Sequence, residues 1–139
     1  MNAKQVSIFV QNRNGRLAEV MSFLRDQNVN LRALSLADTQ NYGVLRFIAE
    51  DPEKIVAACK EAGMMASVSN VEIAKLNDKP GSLAELLCLL ADKGVGVEYA
   101  YAFVGYTDGS AWVVLRTSDD ALAEEVINAN GYGIQINNK

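Results

Sequence analysis

Histidine is absent from the 139 residues. With it go the commonest general base at neutral pH, the Ser–His and Cys–His nucleophile pairs and the commonest metal ligand. Cysteine occurs twice, as Cys59 and Cys88, which is too few for a disulfide framework or a metal cluster. No metal, cofactor or catalytic residue is therefore expected. Positive charge is also short: 13 Lys and Arg against 17 Asp and Glu leave a formal charge of −4, so there is no basic footprint for a nucleic-acid backbone. The longest aliphatic run, Leu86 to Ala91, falls far below the roughly 20 residues that span a bilayer, and the N-terminus lacks the apolar core of a signal peptide. These shortages point to a cytoplasmic protein that uses neither membrane nor nucleic acid.

What is present is a duplication. Asn12-Arg13-Asn14-Gly15-Arg16-Leu17-Ala18-Glu19 returns as Asp78-Lys79-Pro80-Gly81-Ser82-Leu83-Ala84-Glu85, a shift of 66 positions (81 − 15). The register persists, with Leu24 over Leu90, Asp26 over Asp92 and Val29 over Val95. Two copies of one small unit follow, spanning 1–69 and 70–139. At about seventy residues each, such units are too small for a generous core and lean on a neighbour.

Within each copy the hydrophobic period changes in a fixed order. Val6, Ile8 and Val10 alternate with polar residues as a strand with one buried face does. Leu17, Val20, Met21 and Leu24 then recur at helical spacing, as do Leu83, Leu86, Leu87 and Leu90, predicting helices from about Arg16 and Ser82. β-rich stretches follow at Leu31 to Ala37 and Val97 to Val104. Hairpin turns are expected at Thr39 to Gly43 and Gly105 to Gly109, before strands around Val44-Leu45-Arg46 and Val114-Leu115-Arg116. Asp51-Pro52-Glu53 and Ser118-Asp119-Asp120 read as helix starts with an acceptor side chain at the cap. Those helices end near Gly63 and Gly131, and closing strands are expected at Met64 to Ser69 and Tyr132 to Ile136. Each copy is thus strand-helix-strand-strand-helix-strand. The fold class is α+β, two tandem ferredoxin-like βαββαβ units with antiparallel sheets and helices on one face.

If Leu45 and Leu115 face the helices, the opposite sheet face carries Phe9, Val44, Arg46 and Ile48 in one copy and Ile73, Trp112, Val114 and Arg116 in the other. An apolar face of this kind predicts packing against another domain or a second chain, and a homodimer is the expectation.

The loop signature, with the plait and the Val-Asn-Leu or Val-Gly-Val step after the first helix, resembles the ACT domain. The resemblance covers nearly the whole chain as a tandem pair. Asp78-Lys79-Pro80-Gly81 carries the family pattern in full; the first copy departs from it with Asn14 in place of proline. The resemblance implies a non-catalytic protein that binds an amino acid at a domain interface and regulates amino-acid metabolism. Independently of the name, Gly15 and Gly81 let a backbone approach closely, and the helix that follows offers unpaired amides to a carboxylate. The resemblance supplies the candidate ligand-binding residues: Asn12, Arg13, Asn14, Gly15, Arg16, Leu17 and Asn30 in the first copy, and Asp78, Pro80 and Gly81 in the second. Asn12 and Asn30 match asparagines of serine-binding members, whereas Asp78 and Gly96 stand in their places in the second copy. The site is accordingly expected from the first copy's loop, completed across an interface. The plain alternatives are that the glycines merely turn the chain and that Asn30 ends a helix.

Other plaits fit less well. Acylphosphatases need a glycine-rich first loop around their arginine, which does not surround Arg13, and ferredoxins and copper chaperones need cysteines that are missing. The stronger rival is a ligand-free interaction module, the regulatory subunit of a metabolic enzyme, which the small subunits of acetolactate synthase resemble in part.

Overall fold

The computed structural model describes residues 1–38, 41–104 and 108–134. Ten elements follow in order: β1 (Asn2–Gln11), α1 (Arg16–Asp26), β2 (Ala33–Asp38), β3 (Tyr42–Ile48), α2 (Pro52–Glu61), β4 (Ala66–Leu76), α3 (Ser82–Asp92), β5 (Val97–Ala102), β6 (Ala111–Thr117) and α4 (Asp120–Ala129). They form two compact units, Lys4–Ser69 and Asn70–Lys139, the latter together with Met1–Ala3. Met1–Ala3, which the sequence reading placed with the first copy, join the second because Met1 exchanges backbone bonds with Ile73 at 2.9 and 2.8 Å. β4 is one strand that closes the first unit and opens the second.

In the Lys4–Ser69 unit the sheet order is β2-β3-β1-β4, with β3 antiparallel to both β1 and β2. The alternation of β1 turns Val6, Ile8 and Val10 onto the helix side, where they meet Leu45 and Phe47 of β3, Val20 and Leu24 of α1, and Ile55, Val56 and Cys59 of α2. In the second unit β6 lies between β4 and β5, and Ala74, Leu76, Val113 and Leu115 pack on Leu86 and Leu90 of α3 and on Ala123, Val126 and Ile127 of α4. Leu24 and Leu90, equivalent in the repeat, are both fully enclosed, each contributing about 1.5–3 kcal/mol by leaving water. The expected stripes hold except at their first residues: Leu17 and Leu83 are 36% and 37% exposed.

Several local expectations change. Asp51 does not cap α2 with its side chain; it stands at φ 54, whereas Asp119 is extended and accepts from the Leu122 amide at 3.0 Å. Backbone conformation decides the difference, since only the extended form points the carboxylate back at the first turn. Of the turn and strand expectations, residues 39–40, 105–107 and 135–136 lie outside the described residues. Tyr132 nevertheless accepts from the Lys75 amide at 2.8 Å, along the edge of β4.

The outer sheet face is more covered than its alternation implies. Ile48, Ile73 and Val114 are buried, while Phe9 remains 46% exposed. In the second unit Tyr101 pairs with Val114 across the strands, and a Tyr99–Tyr101 stack and a Phe103–Trp112 edge contact share that face. Large rings thus stand beside the β-branched Val114 on that face of the second unit.

Candidate functional site

The two signature loops fold alike because their backbones bond alike. Arg13 N–H donates to the Gln11 carbonyl, Arg16 to Arg13 and Glu19 to Gly15; at the shift of 66 (81 − 15) Lys79 donates to Asn77, Ser82 to Lys79 and Glu85 to Gly81. Gly15 at φ 81 and Gly81 at φ 88 supply the left-handed step before each helix, a conformation strained for residues with a Cβ. Among the described residues, their sequence neighbours apart, nothing lies within 4 Å of where either Cβ would stand. The glycines are thus required by backbone angle, and the space over them is open.

The side chains differ. In the first loop Glu19 accepts from both nitrogens of the Arg13 fork, at 3.2 and 2.9 Å, and from Arg16 at 3.0 Å. Those bonds, Arg13 before Arg16, hold the exposed Glu19 carboxyl below its ordinary value. Asn12 and Asn14 are exposed. In the second loop Asp78 and Pro80 are exposed, and Glu85 accepts from the Tyr132 hydroxyl, whose pKa is raised by burial and then by that bond. The residue after each glycine carries an enclosed polar atom without a partner among the described residues, Nε of Arg16 and Oγ of Ser82.

Asn30 lies elsewhere. α1 runs between it and the loop, and 11 residues of helix are about 16 Å long, so Asn12 and Asn30 of one unit do not meet. Nor does Asn30 end the helix. Asn28 does, at φ 58 with its amide bonded to Arg25, a position taken by Gly94 in the second copy. Asn30 instead lines a cleft of about 350 Å3 with Gln27, Asn28, Arg32, Asp51 and Lys54, over Val29, Ile55 and Ala58. Arg32 donates to Glu50 there at 2.8 Å.

Sequence reasoning named Asn30 but missed Arg32, Glu50, Asp51 and Lys54. A signal was available: the repeat shift falls from 70 (114 − 44) at Val44 to 68 (119 − 51) at Asp51, so the first copy has the longer connection into its second helix. Also unforeseen is Glu72, 0% exposed, whose carboxylate accepts from Asn2 at 3.1 Å and lies 3.4 Å from the Met1 ammonium. Burial above all pushes its pKa up, with Glu124 adding to the rise. Among the described residues there is no group of histidine, cysteine, aspartate or glutamate side chains able to hold a metal ion, and no helix long and apolar enough to cross a membrane.

A doubled βαββαβ plait with open glycine loops ahead of the first helix of each copy is the architecture of a tandem pair of small domains. Residues 1–138 match the family model described as an ACT domain pair, and the chain belongs to the ACT-domain family, whose members are non-catalytic regulatory modules. It is similar to protein BT0572 from Bacteroides thetaiotaomicron, at 36% identity over 97% of this chain and 92% of that one, with a TM-score of 0.87. The regulatory subunits of aspartate kinase from Thermus thermophilus and Thermus flavus share the fold at 12% and 14% identity, each over 93% of this chain and 92% of that one, with TM-scores of 0.65 and 0.64. No curated protein matches the chain.

Proposed function

We propose that this ACT pair is an amino-acid-binding regulator of amino-acid metabolism, with its effector at the loop Asn12 to Leu17. What carries the reading is the open, left-handed glycine at the head of an 11-residue helix, repeated in both copies of a chain of this family. Asn12 offers both donor and acceptor to an α-ammonium or α-carboxylate, and Arg13 and Arg16 stand beside it. Because Asn30 of the same unit lies at the far end of α1, an effector touching both asparagines takes Asn30 from a second copy of the fold. A homodimer is the simplest source, and Phe9 and Met65, 46% and 70% exposed, are apolar surface available to it. The second loop, with Asp78, Pro80 and Gly81 but Gly96 at the Asn30 position, is the more structural of the two. The regulated partner is an enzyme that makes or consumes the effector, as the aspartate kinase subunits of the same fold are regulatory parts of theirs.

The test is a thermal-shift panel of the common amino acids on the purified chain. At about a hundredfold over Kd an effector adds about 2.7 kcal/mol of stability, several degrees in midpoint. Asn12→Ala should abolish the shift of an effector held by the loop; a preserved shift would move the site elsewhere. A flat panel at millimolar concentrations would sink the effector reading and leave a protein-interaction module.

A further inference from the structure

The place beside Asn30 is built differently in the two copies of the repeat. In the second unit the residue at the Asn30 position is Gly96, whose amide donates to Ser118 Oγ at 2.9 Å while the Ser118 amide donates back to the Gly96 carbonyl at 2.9 Å. A Cβ on Gly96 would stand at ordinary contact distance, 3.5 Å, from that hydroxyl. Only residues 118–119 connect β6 to α4. In the Lys4–Ser69 unit residues 49–51 connect β3 to α2, and the longer connection leaves about 350 Å3 between the end of α1 and the start of α2.

The lining is chemically two-sided. Lys54 and Arg32 bring positive charge, Asp51 and Glu50 bring negative charge, and the two pairs cancel. Arg32 is held by Glu50 at 2.8 Å, whereas Lys54 and Asp51 form no ion pair among the described residues. Asn30 can donate or accept, and Val29, Ile55 and Ala58 give an apolar wall. A cleft at the small end of ligand-site volumes, neutral overall but carrying separated charges of both signs, suits a small molecule with the same pattern. We propose that this cleft binds a free α-amino acid as its zwitterion, the carboxylate toward Lys54, the ammonium toward Asp51, and Asn30 between them. The site is complete within the Lys4–Ser69 unit and distinct from the Asn12–Leu17 loop. It rests on the amino-acid reading above but needs neither that loop nor a second chain.

The full-length 15N-labelled chain, titrated with each common amino acid, tests this. Ala58→Phe fills the cleft from a half-exposed helix position; Lys54→Met removes the charge without adding bulk; Asn12→Ala is the comparator in the loop. The expected result is that one amino acid shifts the amides of Asn30 and of residues 50–54. Binding should weaken at least about tenfold in Ala58→Phe and clearly in Lys54→Met, and persist in Asn12→Ala. Shifts confined to residues 12–17, lost in Asn12→Ala and intact in both cleft variants, would overturn the cleft site while leaving the loop reading standing. Silence of both regions to millimolar concentrations would overturn both.

Discussion

Gly15→Ala isolates the cost of the left-handed step that opens the first helix. Among the described residues, its sequence neighbours apart, no atom lies within 4 Å of the new Cβ, so the substitution carries no clash there, and the backbone angle of φ 81 opposes it. That opposition is about 1–2 kcal/mol for a residue with a Cβ, set against about 0.4–1 kcal/mol from the stiffer unfolded chain. A net loss of about 1 kcal/mol should remain. With a urea slope of about 1–3 kcal/mol per molar, the midpoint falls by about 0.3–1 M, readable by far-ultraviolet circular dichroism. Gly15→Asn should lose less, because asparagine bonds locally and tolerates the left-handed region. Gly81→Ala, at φ 88 with the same open surroundings, should repeat the result. A loss above about 3 kcal/mol would mean an unrecognised contact. An asparagine variant no better than alanine would refute the backbone explanation.

Leu24→Ala and Leu90→Ala remove equivalent enclosed side chains, and each should cost about 2–5 kcal/mol in urea unfolding; a loss below 1 kcal/mol would contradict the packing. Asp119→Ala should cost about 0.5–2 kcal/mol by uncapping α4, while Asp51→Ala, at a position whose side chain caps nothing, should show no capping loss. Glu72 titrates above its ordinary 4.5 in the fold, where Asn2, the Met1 ammonium and Glu124 face it, so the folded form binds its proton more readily than the unfolded chain. Its contribution to stability is full below that ordinary value and is lost as pH rises through the raised one; Glu72→Gln should flatten this dependence, and parallel stability curves from about pH 4 to pH 8 would disprove it.

The repeat, the order of elements and both helix starts could be read from the sequence because periodicity and glycine placement are local properties. Val6, Ile8 and Val10 were legible as a buried face, and Gly15 and Gly81 as turns, without knowledge of any partner strand. The burial of Ile73 and Val114 was not, because it depends on which strands lie beside them, Val114 standing between Ile73 of β4 and Tyr101 of β5 in the register. The roles of Glu19 and Glu85 were equally hidden: identical in the motif, one gathers two arginines of its own loop and the other takes a hydroxyl 47 positions away (132 − 85).

The sequence by itself determined the duplication, the α+β plait and the family, since each rests on residues close together in the chain. Tertiary structure decided where the candidate ligand groups stand. α1 is a rigid rod, so it sends Asn12 and Asn30, both readable as ligand residues, to opposite ends of the unit. The longer connection between β3 and α2 leaves a cleft beside Asn30, where in the second copy the Gly96 amide instead bonds Ser118 Oγ.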